Sequence, residues 1–221
     1  NVGLSIDPAT AKRGENIYRF IIRAIVNEQK DAWKIFLSQN KKSKGSLLSL
    51  ENKMIMGYLR SLFITFFAYI IGGAEGMIIF LLCAFIAKSL LEVINYTEHY
   101  GLVRVPGQKV RPRHSWNSNS VMSSIFLYNV TRHSSHHEKA SLKYWELHPY
   151  KGAPMMPYGY LSMLYLAIFL PPVFHRLMCK KLIEWDSKYA SKSERILAEN
   201  QNLNSGLSLL QKNSHIFDLG A

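Results

Sequence analysis

Cysteine is nearly absent from this chain. Among 221 residues only Cys83 and Cys179 occur, one inside an apolar block and one near an amphipathic end, which excludes both a disulfide framework and a cysteine-held metal centre. Acidic residues are scarce as well: 15 Asp and Glu stand against 27 Lys and Arg, for a formal net charge of +12. Such an excess calls for an anionic counterpart, whether nucleic acid, anionic lipid or an acidic protein. The Lys and Arg residues flank apolar blocks and do not interleave with aromatics on one surface, so nucleic acid is disfavoured and lipid headgroups or an acidic partner remain. The opening residues also lack the basic start, apolar core and small-residue cleavage site of a signal peptide.

What is abundant is apolar: 48% of the residues are hydrophobic, and they are segregated. Residues 54–71 and 77–94 form two long apolar blocks parted by Gly72-Gly73-Ala74-Glu75-Gly76. Each block approaches the ~20 residues that cross a ~30 Å hydrocarbon layer, and so short a glycine-rich break predicts a helical hairpin. Lys41, Lys42, Lys44, Lys53 and Arg60 precede the turn, Arg104, Lys109, Arg111 and Arg113 follow it, and the turn itself has no basic residue. By the positive-inside rule both ends of the hairpin face the cytoplasm. The expected fold class is therefore all-α and integral to the membrane, a transmembrane helical hairpin with cytoplasmic helices. Lys88 and Glu92 interrupt the second block at i, i+4. Charges at that depth either pair with each other or face other protein.

Around this hairpin the chain alternates helix and loop signals. Asp7-Pro8-Ala9 can open a helix, with Asp as cap and Pro at the first position. Ile17, Phe20, Ile21, Ala24 and Ile25 recur at helical spacing with Arg19 and Arg23 on another face, so this helix either packs on the rest of the domain or lies at the headgroup level. Lys41, Lys42, Lys44, Gly45 and Ser46 read as a polar connector, and 103–119, with Pro106, Gly107 and Pro112, as a loop. In 120–130, Met122, Ile125, Phe126 and Tyr128 are expected to pack against the helix that follows. The apolar run 158–169 stops at Pro171-Pro172, too short for a crossing, and suits a re-entrant or interfacial helix. Residues 185–221 are polar and read as a mobile tail in which His215 has no role.

The chemistry-bearing stretch is Arg132-His133-Ser134-Ser135-His136-His137. Histidines at i, i+3 and i+4 share one face of a helix and come within reach of a single metal. Neutral imidazoles suit iron, zinc, copper or nickel, so the other ligands and the geometry choose among them. The bland alternative is a solvated polar face. Upstream, Asn95-Tyr96-Thr97-Glu98-His99-Tyr100-Gly101-Leu102 follows directly on the second apolar block, and Arg113-His114-Ser115-Trp116-Asn117-Ser118-Asn119 comes next.

Taken together, NYTEHYGL, RHSWNSN and RHSSHH resemble in order and spacing the C-terminal motifs of the membrane-bound alkane 1-monooxygenases, of the integral-membrane, histidine-rich di-iron group that includes xylene monooxygenase and the fatty acid desaturases. The resemblance covers 1–184, with DPATAKRGENIYRF like the segment after the second histidine box and PYGYLSMLYLAIFLPPVFHRLM like the closing stretch. It implies a monooxygenase that hydroxylates the terminal carbon of alkanes with O2, two non-heme irons and electrons from an acidic rubredoxin. It further implies an apolar, membrane-dissolved substrate and a multi-pass location in a bacterial inner membrane with the metal site on the cytoplasmic side.

By the same resemblance His99, His133, His136 and His137 are metal ligands. Glu92, Asn95, Glu98, His114 and Glu138 are candidates for orienting them, and His114 is equally a structural position. For Glu92 the pairing with Lys88 stands beside that role, and for Glu138 simple solvation does. His148 and His175 read as structural. The family's earlier HExxxH and HxxxHH boxes do not occur in this sequence, and the chain begins at Asn1, so a C-terminal fragment, inactive alone, is expected. Alkyl-aromatic or fatty-acyl oxidation by the same chemistry is the second reading, and a non-catalytic membrane scaffold whose histidines bind zinc or nothing is the third.

Overall fold

A computed structural model describes residues 2–43, 52–139 and 141–214. Eight α-helices follow one another among them: α1 (Ile17–Ser43), α2 (Lys53–His99), α3 (Val121–Phe126), α4 (His133–Glu138), α5 (Tyr160–Phe169), α6 (Pro171–Lys188), α7 (Lys192–Leu203) and α8 (Ser208–Asn213). The described residues contain no strand, only an isolated parallel bridge between Asn117 and Met155. The chain divides into two units, Ile22–Glu92 and Asn1–Ile21 with Val93–Ala221.

In the first unit, α2 is long and apolar enough to cross a membrane, and only 11% of its most apolar 18-residue window is buried. Phe63, Phe66, Ile70, Ile79 and Phe85 are all more than half exposed. Its helical geometry breaks once, at Gly73, whose φ of 60° and ψ of −156° lie outside what a side chain tolerates. The glycine-rich stretch singled out in the sequence is thus where the helix is interrupted. Lys88 pairs with Glu92, one turn on, and with Glu28 of α1 at 2.7 Å, so the charge within the apolar helix is neutralised by protein. On α1, Gln29 accepts the Tyr58 hydroxyl at 2.9 Å, and Trp33 donates to that hydroxyl at 3.0 Å while its ring stacks on Tyr58. Helix α1 runs through Ser43, so Lys41 and Lys42 of the expected connector are helical, and Lys44, Gly45 and Ser46 lie outside the described residues.

The second unit is built on an aromatic core. Phe20, Tyr96, Tyr100 and Phe174 meet at centroid distances of 5.1 to 5.4 Å in edge and tilted contacts, the geometry ring quadrupoles prefer. Trp116, Tyr160, Met163, Met178, Leu182 and Trp185 complete it, each almost fully buried. Into this core goes Arg13, whose guanidinium grips Asp186 at 2.6 and 2.7 Å, Asn202 at 2.7 Å and the Gly101 carbonyl at 2.8 Å. A buried charge is tolerable only with such full pairing.

Three expectations are corrected here. Asp7 does not open a helix. Its carboxylate accepts the Thr10 hydroxyl at 2.6 Å in a local turn, and Gly14 at φ 79° delays the helix to Ile17. Met122, Ile125, Phe126 and Tyr128 do not pack the helix carrying the histidine triplet: they are 61 to 67% exposed, and α3 buries Ser123 and Ser124 instead. The polar stretch from 185 is also not a loose tail over its described part. Ser191 caps α7 through a capping box with Glu194, and Glu194, Ala198, Asn202 and Leu210 are buried. His215 lies outside the described residues.

Candidate metal centre

The site begins at the end of α2. Its last carbonyls, which helix geometry leaves without partners, are met by Trp116: the backbone N–H donates to the Glu98 carbonyl and the indole N–H to the Tyr100 carbonyl, both at 2.9 Å. Gly101 then turns the chain at φ 68°, where a Cβ would fall 2.8 Å from Leu182 Cδ2 and 2.9 Å from Arg13 Cγ. A glycine is required on both counts, and it leaves His99 fixed in the final helical turn.

Helix α4 is placed by two consecutive left-handed residues, Tyr128 (φ 47°) and Asn129 (φ 58°), and by Asn117. The Asn117 side chain accepts the Ser134 N–H at 3.0 Å and donates to the Ser134 hydroxyl at 2.7 Å. It thereby satisfies an open N–H in the helix's first turn from across the fold.

These two supports bring three imidazoles together. His99 Nε2 lies 3.1 Å from His133 Nε2 and 3.1 Å from His137 Nε2, and ligand atoms of all three fall within 4.8 Å of one another. The Nδ1 of His99 faces the Asn95 carbonyl at 3.2 Å. A carbonyl only accepts, so the His99 proton sits on Nδ1 and Nε2 presents a lone pair. Burial, with the charge of His136 second, depresses His133 to about 3, and burial with His133 next does the same for His137. With all three rings neutral, each can turn one lone-pair nitrogen toward the others, and such facing lone pairs call for a cation among them. The 3.1 Å separations of His99 from His133 and from His137 also suit nitrogens bound at about 2.1 Å to one ion. The donor set therefore fits a transition metal of the imidazole-preferring kind.

Of the remaining candidates, His136 stands beside the cluster, its ring centroid 5.6 Å from that of His133 and 5.7 Å from that of His137. Glu98 is buried, and its Oε1 is 3.1 Å from His133 Nδ1, at ion-pair distance though not aligned as a hydrogen bond. Asn95 takes part through its carbonyl. Glu92 pairs with Lys88, and Glu138 accepts the Tyr150 hydroxyl at 2.7 Å. His114 has both nitrogens engaged, Nδ1 accepting the Arg111 N–H at 3.0 Å and Nε2 meeting Glu194 at 2.7 Å. It holds α7 to the fold. His148 bonds Ser135, and His175 bonds the Tyr100 hydroxyl at 2.6 Å.

Sequence reasoning missed Asn117, Trp116 and Glu194. The first two sit inside RHSWNSN and so had a signal. Glu194 had only the Ser191-Lys192-Ser193-Glu194 capping pattern, which marks a helix start but not its buried partners.

Comparison with known proteins places the same residues in context. The family model described as fatty acid desaturase matches residues 1–167. Alkane 1-monooxygenase 1 of Pseudomonas aeruginosa is 35% identical over 203 residues, 87% of this chain and 51% of that protein. Alkane 1-monooxygenase of Acinetobacter baylyi is 35% identical over 185 residues, 80% of this chain and 45% of that protein. The xylene/toluene monooxygenase hydroxylase component XylM of Pseudomonas putida is 34% identical over 205 residues, 92% of this chain and 55% of that protein. The chain spans about half the length of these curated relatives.

Proposed function

Because the chain belongs to the fatty acid desaturase family, we propose that it carries part of the iron site of a membrane-bound monooxygenase that hydroxylates the terminal carbon of alkanes. The observation that carries this reading is the convergence of ring nitrogens of His99, His133 and His137 on one point. Histidine-bound iron with open positions activates dioxygen, a power no amino-acid side chain has. Two irons are proposed, as in the resembling family. His136 beside the cluster is the fourth nitrogen donor this chain offers, and alone the chain turns over no substrate.

The protein's own groups prepare the site. The Asn95 carbonyl fixes the tautomer of His99, and Glu98 stands where it can orient His133. Burial keeps His133 and His137 neutral, so each ring has one nitrogen free of a proton and able to bind metal at neutral pH.

A membrane hairpin is supported within the Ile22–Glu92 unit. Neighbouring residues Glu28 and Gln29 bond Lys88 and Tyr58 respectively, and 30 residues of straight helix would hold those partners about 45 Å apart. The Ala68 carbonyl lies 3.0 Å from where a Cβ of Gly76 would be, which only a reversal near Gly73 allows. Charge asymmetry supports ends facing the cytoplasm. The exposed Lys109 and Arg111 suit an acidic electron donor such as rubredoxin, and the exposed apolar α2 suits a substrate dissolved in the bilayer.

Oxidation of an alkyl-aromatic methyl group is the second reading, favoured by the match to XylM over 92% of this chain. The complete natural protein, given O2, reductant and a panel of an n-alkane, xylene and a fatty acyl ester, distinguishes them. A primary alkanol is the expected product, benzylic alcohol alone favours the second reading, and no product from any substrate returns the chain to a non-catalytic role.

A further inference from the structure

A cavity of about 860 Å³ opens between the start of α6 and the turn into α8, away from the histidine cluster's own ligands. Its walls include Arg176 and Lys180, one turn apart on α6, with Pro171, Leu207 and Leu209, and no carboxylate lines it among the described residues. Neither cation forms an ion pair or hydrogen bond among the described residues.

A third donor is fixed by hydrogen-bond accounting. The Tyr100 hydroxyl accepts the Gly14 N–H at 2.9 Å, so its own proton goes to the other neighbour, His175 Nδ1, at 2.6 Å. That leaves the His175 proton on Nε2. The residue is 8% exposed and lines the cavity, and no partner within the described residues takes this N–H. Burial lowers its pKa, which agrees with a neutral ring.

We propose that this cavity binds the phosphate of an anionic phospholipid headgroup, held by Arg176, Lys180 and the His175 N–H. Charge-assisted bonds from a guanidinium and an ammonium are the usual means of holding phosphate. The apolar walls argue for an amphiphile over free phosphate. Directly before the cavity, α5 exposes Tyr165 and Phe169, and Leu170 follows them, an apolar surface of the kind acyl chains cover at a headgroup boundary. The Tyr100 bridge links the bound headgroup to the residue next to His99. This inference goes beyond the hydroxylase reading and does not depend on it.

The test is native mass spectrometry of the complete protein in detergent, with phosphatidylglycerol, phosphatidylcholine and inorganic phosphate as probes. Wild type is expected to retain phosphatidylglycerol and release phosphatidylcholine. The doubly substituted Arg176→Ala/Lys180→Ala protein should lose at least roughly tenfold in apparent affinity for phosphatidylglycerol. The charge-conserving Arg176→Lys/Lys180→Arg protein should recover most of it. Retention that survives millimolar phosphate assigns the lipid, and displacement by phosphate assigns the free ion as the source of the same chemistry. Equal retention of phosphatidylglycerol by wild type and the Ala protein overturns the site.

Discussion

Replacing Glu194 with Ala should cost the fold about 3 to 5 kcal/mol, the usual price of stripping one partner from a buried ionic group. The carboxylate has no exposed side-chain surface and receives Arg113 Nε at 2.9 Å, Arg113 Nη2 at 3.0 Å, His114 Nε2 at 2.7 Å and the Ser191 N–H at 2.8 Å. Burial alone would raise its pKa, but the bonds from His114 and Arg113 outweigh that and hold it below the usual carboxylate range. Removing it strands a fully buried His114 and a mostly buried Arg113. Domains are stable by only about 5 to 15 kcal/mol, so the loss is a large share. Thermal and denaturant unfolding of the purified protein in detergent measures it. Lys192→Ala, on the exposed side of the same helix, serves as a control expected to change stability by less than about 0.5 kcal/mol. If Glu194→Ala unfolds within that margin of wild type, α7 is not part of the fold and the reasoning fails.

Two further outcomes concern the turn and the histidines. Gly101→Ala should destabilise by about 2 to 5 kcal/mol, summing left-handed strain with the overpacking against Leu182; an unchanged melting temperature would show that the turn after His99 is not as described. Metal-free protein should lose stability on acidification, because His133 is held at about 3 in the fold against about 6.5 when unfolded. Between those values the unfolded chain takes up a proton that the folded one refuses, so stability falls as pH drops from about 6.5. By pH 5 the loss from His133 is about 2 kcal/mol. His133→Gln should make the fall in unfolding free energy between pH 7 and pH 5 shallower, the equally depressed His137 keeping part of it, and an identical slope would contradict a neutral buried His133.

Much of this was legible in the sequence because it rests on local pattern. The apolar blocks, the Gly72-Gly73 interruption and the triplet helix all follow from composition and spacing over a few residues. The pairing of Lys88 with Glu92 follows likewise from i, i+4 geometry. What escaped depends on contacts between residues far apart in the chain. Arg13 meets Asp186 across 173 positions, and His114 meets Glu194 across 80. No periodicity announces such pairs, so a polar helix read as a tail, and His114 read equally as an orienting or a structural residue until its contact with Glu194 identified the structural one. The triplet shows the same limit on a smaller scale: i, i+3, i+4 spacing puts three rings on one face, but that His133 and His137 are the two that meet His99 depends on contacts far along the chain, among them those of Asn117 with Ser134.

The most direct test of the central claim is the iron content of the complete natural protein, measured by plasma mass spectrometry on wild type and on His99→Ala, His133→Ala and His137→Ala. The account predicts two irons per wild-type molecule and a loss of at least one in each variant, with the melting temperature in detergent confirming that the variants are folded. Iron undiminished in all three, or zinc in place of iron in the wild type, would contradict it.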